Sequence, residues 1–381
     1  MEKVYDMHCH YIFYIPIKET IEIFKEEFEL TGTEKCAFLS LPHHANGYGL
    51  YLTADQNIKG LFLKHAFAPN AYAFAGLIHP QEKMTDEEQA KLYRNQAEKY
   101  FSAGYDGIKM FEGHPTIRRA TKIPLDSHVY DEFYSYLEQV GMPIIMHVAD
   151  PEDSWSMETA SESAKKLGRV YCGDFPSKRQ LTDEVFGILK KHPMLKLGLA
   201  HMGFMSYDVK EAERFFAYEN TYLDVTPGGE QILNIISNWG EWKKFFERYQ
   251  DRILYGTDFY AFPKVDDLWK VSVTRRPNLI RQAFETDEEH LYFKDKFRGV
   301  KLDKKMRDKI YRDNLINLLG EPKKIDKQYA KDEIKRLMNE LPSGDSYYTN
   351  DGVIDMTMPE NRKTVIERYI ADLQYMLKNF D

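Results

Sequence analysis

The chain is poor in what many protein classes need. It has three cysteines in 381 residues, Cys9, Cys36 and Cys172. That number is too small for a disulfide framework and suits a reducing compartment. No run approaches the ~18 consecutive apolar residues that cross a bilayer. The charged residues Glu2, Lys3 and Asp6 interrupt the start, where a signal peptide would be apolar. The expectation is therefore a cytoplasmic protein without a membrane partner. Cations are not in excess either. Lys plus Arg is 52 against 60 for Asp plus Glu, a formal charge of −8. A general nucleic-acid binder would need the opposite balance to displace counterions, so a nucleic-acid partner is not expected. A GxGxxG phosphate turn after the first strand, the mark of a dinucleotide-binding sheet, is also missing.

What is present is an ordinary globular composition, 43% hydrophobic and 29% charged, with 26 Tyr and 23 Phe. Short apolar runs alternate with longer amphipathic ones. VYDMHCH, KCAFLSLP, YAFAGLIHP, YDGIKMF, PIIMHVAD, LKLGLAH, TYLDVTP and RILYGTDF each have strand length, and several are apolar on both faces. Such strands suit a parallel sheet covered by helices. Helical spacing lies between them, in 19–30, 86–101, 126–140, 177–192, 230–249 and 304–319. Eight strand–helix units predict an α/β fold, a (β/α)8 TIM barrel, over residues 1–320. An open doubly wound sheet is the alternative. Residues 321–381 are expected to form a helical C-terminal extension. It would either pack on the barrel wall or offer a homodimer surface.

In such a barrel the chemistry lies at the C-terminal strand ends. Those ends carry His8 and His10, Lys109, His147, His201 and Asp258. Residues two apart on a strand face the same way, so His8 and His10 can grip one ion while Cys9 faces the helices. Each residue alone has a structural explanation, as a loop hydrogen bond or a helix cap. Together, imidazoles and a carboxylate converging at one mouth form a donor set for zinc or a similar divalent metal. Other strand-end groups, His43, His44, His79, Glu112, His114, Arg118 and Arg119, could bind substrate, and a bidentate Arg could clamp a carboxylate. The stretches 150–176 and 264–299 are long for barrel loops, as lids often are.

These motifs resemble the amidohydrolase superfamily, in its amidohydrolase-related branch that includes aminocarboxymuconate-semialdehyde decarboxylase-like proteins. The matching features are His8-x-His10, His147 in IIMHVAD, FGILKKHPMLKLGLAHMG with His201, RILYGTDF with Asp258, and IYRDNLINLLG with Asn314. The resemblance implies that His8, His10, His147 and Asp258 hold one zinc ion. It implies catalytic roles for Asp258, which moves a proton, and His201, which polarises the scissile group. A metal-activated water would then hydrolyse an amide, lactone or ester of a small carboxylated or cyclic substrate. The alternative is a non-hydrolytic decarboxylase, a lyase of an aromatic or muconate-like acid. Lys109 would either bind substrate or, once carboxylated, bridge two ions; unmodified, it is a cation that repels a metal. His79, His114 and Arg118 are the further substrate-binding candidates. A catalytically silent metal-binding module is the reading from another class.

Overall fold

The computed structural model describes residues 1–12, 15–42, 55–80, 82–166, 168–228, 231–264, 268–340 and 359–380. His43 and His44 lie outside them. Strands β1 (Val4–His10), β2 (Thr33–Leu39), β3 (Ala71–Gly76), β4 (Gly107–Gly113), β5 (Ile144–Val148), β6 (Leu197–Leu199), β7 (Thr221–Asp224), β8 (Ile253–Leu254) and β9 (Phe259–Tyr260) form one parallel sheet. The order is β8-β7-β6-β5-β4-β3-β2-β1-β9. The last two are halves of one barrel strand. Ile253–Leu254 pairs with β7, Phe259–Tyr260 pairs with β1, and the Gly256-Thr257-Asp258 turn lies between them. The turn thus sits where the sheet closes on itself as a (β/α)8 barrel.

The helices are α1 (Ile17–Thr31), α2 (Gln56–Ala66), α3 (Asp86–Ala103), α4 (Pro115–Thr121), α5 (Asp131–Val140), α6 (Glu162–Lys166), α7 (Lys178–Lys191) and α8 (Val209–Phe216). They continue as α9 (Gln231–Ser237), α10 (Trp239–Tyr249), α11 (Trp269–Glu285), α12 (Lys304–Asp308), α13 (Asn314–Leu319), α14 (Lys327–Asn339) and α15 (Pro359–Asn379). Their ends follow local chemistry. Thr85 and Glu88 form a reciprocal capping box on α3. Gly104 ends α3 at φ +93, where an added Cβ would strike the Lys324 carbonyl.

The period of two along the strands separates two apolar layers. Cys36, Phe38, Ala71, Ala73, Ile144, Met146 and Ile253 belong to the large core under the helices. The residues between them, Ala37, Leu39, Tyr72, Phe74, Ile145 and Leu254, form a second cluster with Leu315 and Leu318 of α13. This second cluster is the packed barrel interior, with α13 against one end. Cys9 belongs to the helix-side layer, as the spacing argued.

Two expected loops differ from their reading. The segment after strand eight contains the 17-residue α11 and the hairpin Glu289–Tyr292/Asp295–Arg298. The segment after β5 is tied down: Trp155 Nε1 donates to the Pro176 carbonyl at 2.9 Å and Tyr171 N to Ser154 O at 2.8 Å. Length alone could not reveal either set of contacts. In the tail, Phe380 packs on Phe62 and His65 of α2. Asp372 of α15 pairs with buried Lys59 and accepts from Ile17 N–H. No helix among the described residues is long and apolar enough to cross a membrane.

Candidate metal centre at the barrel mouth

His8, His10 and Asp258 meet in one buried trio. His8 Nε2 lies 3.0 Å from His10 Nε2. Asp258 Oδ1 lies 3.6 Å from the first nitrogen and 3.4 Å from the second. The tautomers are set from behind. His10 Nδ1 lies 2.7 Å from the Leu39 carbonyl, which can only accept, so Nδ1 carries the proton. His8 Nδ1 lies 2.9 Å from Asp224 Oδ2, with the same consequence. Each neutral ring therefore turns an unprotonated Nε2 toward the other and toward a carboxylate, with the Lys109 ammonium also beside the His8 nitrogen. Burial holds both rings neutral by pushing their pKa values well below the ordinary range. Three acceptors facing one another repel unless a cation joins them. Tetrahedral bonds of about 2.0–2.1 Å put donor atoms ~3.3 Å apart, close to the separations here. The residues present fit a divalent metal.

Lys109 Nζ stands 3.3 Å from His8 Nε2 and donates into that lone pair. Burial lowers its pKa to about 8, against the pull of Asp224 and Asp258. His201 lies on the same wall, its ring 5.3 Å from His8 and 5.2 Å from His147. Burial lowers its pKa to about 3. His147 also groups with His114 and Asp150, their ligand atoms within 4.8 Å of one another. His79 bonds Tyr93 and Glu112 at 2.7 and 3.0 Å. The Arg118 guanidinium makes two 3.0 Å bonds to Glu184 in a buried pair that joins α4 to α7.

Three partners escaped the sequence reading. Asp224, ending β7, orients His8 and also accepts the His201 N–H at 2.7 Å. Its visible signal was an acid at the end of TYLDVTP. Asp6 accepts from His8 N–H, Thr257 N–H and the Thr257 hydroxyl, tying strand one to strand eight. Arg276 of α11 bonds Asp258 Oδ2 at 2.7 Å and also the Asp258 carbonyl. This leaves Oδ1 to the histidines. Nothing in the sequence links positions 258 and 276.

The backbone is strained where the site is built. Asp258 has φ +52, Ala149 beside His147 has φ +65, and His201, Met202, Gly203 and Phe204 form a left-handed turn. Non-glycine residues there cost about 1–3 kcal/mol each and persist where the surroundings over-determine them.

A family model described as amidohydrolase matches residues 84–320. No curated protein matches the chain by sequence. Among solved structures, 4-oxalomesaconate hydratase from Rhodopseudomonas palustris is 14% identical, with TM-score 0.51, covering 89% of this chain and 99% of its own. A dihydroxybenzoic acid decarboxylase from Polaromonas sp. JS666, with bound manganese, is 14% identical with TM-score 0.49, covering 84% and 97%. The 2,6-dihydroxybenzoate decarboxylase from Rhizobium is 14% identical with TM-score 0.48, covering 84% and 99%. At 14% identity the likeness to the hydratase is one of fold.

Proposed function

The chain belongs to the amidohydrolase family, and on that footing we propose a metal-dependent lyase that removes carbon dioxide from a small unsaturated or hydroxylated carboxylic acid. The observation that carries the reading is the pairing of cations with the donor trio. Lys109 Nζ sits 3.3 Å from His8, and Arg276 sits on Asp258 at the mouth. Lys109 and Arg276 offset the carboxylates of Asp224 and Asp258, so a divalent ion held there would leave positive charge for an anionic substrate.

His8, His10 and Asp258 would hold the ion, and two imidazoles with a carboxylate take zinc or manganese. When bound, it supplies Lewis-acid stabilisation of negative charge developing on a substrate oxygen. Arg276 and Lys109 bind and orient the carboxylate. The bond from carbon to that carboxylate breaks, and the carbon keeps the electron pair and takes a proton. Asp258 is the group assigned to hand the proton over. Burial raises its carboxyl above the usual range, against the opposing pull of Arg276 and Lys109. His201, held neutral, positions the substrate oxygen.

Hydrolysis of an amide, lactone or ester is the second reading, supported by the same Asp258 acting as a base. In both readings one oxygen of Asp258 is committed to Arg276. The test is a product assay on chain replenished with Mn²⁺ or Zn²⁺. Carbon dioxide release from hydroxybenzoates and unsaturated diacids is expected. Proton release from lactones or amides, with no carbon dioxide from any acid, would reverse the order. Asp258→Asn should lower turnover at least about hundredfold even with metal restored, as loss of an acid–base group does.

A further inference from the structure

Helices α1 and α2 follow the first two barrel strands, and neither is capped by its own N-cap side chain. Pro16, at the N-cap of α1, has no side-chain oxygen to accept an amide proton. Asp55, at the N-cap of α2, makes no cap bond and turns its carboxylate to Lys59 Nζ, 2.8 Å away. The tail supplies what is missing. Asp372 of α15 accepts the Ile17 N–H on Oδ1 at 2.9 Å, and its Oδ2 lies 2.9 Å from Lys59 Nζ. One ammonium thus stands between two carboxylates, and none of the three side chains is more than 5% exposed. The charge of Asp372 also lies at the positive end of the α1 dipole. A carboxylate so far from water persists only with such partners. Leu373, Met376 and Phe380 are fully buried beside it, so α15 is seated on the barrel.

The residue after Lys59 is Gly60, where an added Cβ would lie 2.5 Å from the Tyr11 hydroxyl. Glycine leaves the gap on α2 in which that hydroxyl sits. There Tyr11 donates to the Gln56 carbonyl at 2.6 Å and lies 2.7 Å from Ser40 Oγ. Tyr11 directly follows His10 in the chain. The path from tail to mouth is therefore short. It runs from Asp372 to Lys59, from α2 to the Tyr11 hydroxyl, and from Tyr11 to His10.

We propose that α15 is a clasp for the barrel mouth. Asp372 is its positioning residue: it fixes the starts of α1 and α2 and, through Tyr11, the placement of His10. The C-terminal extension then acts on the metal centre without touching it. The inference rests on the reading of His10 as a ligand only for the effect on the ion, and the measurements below separate the two.

Full-length Asp372→Leu is compared with the parent by hydrogen exchange and, after stripping with a chelator, by Mn²⁺ titration, both well below the unfolding midpoint. Faster exchange confined to 10–12, 15–20 and 55–60 is expected, with the other strands unchanged. Mn²⁺ affinity should fall about tenfold, as loss of an orienting partner does. Gly60→Ala should lower that affinity as much while leaving Asp372 paired. Alanine is the better helix former, so helix propensity cannot account for such a loss. Uniformly faster exchange, or parent-like exchange at both helix starts, would overturn the clasp. Local opening with parent Mn²⁺ affinity in both variants would overturn its link to His10. If Asp372→Leu does not fold, Asp372→Asn keeps the volume and an acceptor for the Ile17 N–H but loses the charge facing Lys59. It should open 55–60 more than 15–20, and parent-like exchange at 55–60 would count against the proposal. His10→Asn is the control for the ion. Parent-like Mn²⁺ binding in that variant would defeat the donor-trio reading, and the exchange result would still decide the clasp.

Discussion

Gly228 shows how tightly single atoms are held at this mouth. An added Cβ there would lie 2.6 Å from His201 Nδ1, so the imidazole would have to move. Gly228→Ala should therefore cut turnover on the order of hundredfold through misplacement of His201. Metal content should stay at the parent level, because His201 is outside both donor trios. A variant with normal turnover would remove His201 from the reaction. His8 and His10 have an equally narrow tolerance. Their tautomers depend on Asp224 and on the Leu39 carbonyl, groups far away in sequence. The pair was legible because spacing of two puts both rings on one face. Their bare nitrogens were not legible, because a tautomer is decided by what accepts the other proton.

At the scale of elements, the barrel is held around its site by buried polar links between helices. Arg118 of α4 meets Glu184 of α7 in a bidentate pair, and Glu184 also accepts the Leu125 N–H at 2.9 Å. Arg118→Met strands that carboxylate in the interior. The expected cost is about 3–5 kcal/mol, the penalty for leaving one partner of a buried pair alone. Urea unfolding measures it, and a change under about 1 kcal/mol would show Glu184 to be solvated. Periodicity located most helices to within a few residues. It missed that 126–140 begins with a separate short turn at His128–Tyr130 and that 230–249 is two helices. Those breaks answer to packing, which a repeat of 3.6 does not encode.

At the scale of the whole molecule, the joint between barrel and tail carries its own titration. Lys323 reaches over the Phe101 ring at 4.0 Å, and its ammonium has no hydrogen-bond partner among the described residues. Burial lowers its pKa from 10.5 to about 8. Between those values the unfolded chain keeps a proton that the folded chain has lost, so this group's contribution to stability rises with pH. Below about pH 8 the burial penalty is present in full. Lys323→Met should therefore raise the unfolding midpoint at pH 7, and the advantage should vanish by about pH 10.5. Equal gains at both ends would show that packing, not charge, is responsible.

The amino-acid sequence by itself determined that strands of double-faced apolar runs would alternate with helices, and that histidines and an acid would sit at their ends. Alternation and burial are local properties, readable residue by residue. Only the tertiary structure decided how those donors are oriented. Asp150 Oδ1 faces His147 Nε2 at 3.6 Å while Tyr171 bonds its other oxygen, and Ala149 between them is left-handed. Asp258 presents a single oxygen because Arg276 takes the other. These choices depend on distances between groups tens of residues apart, and such distances exist only once the barrel has closed.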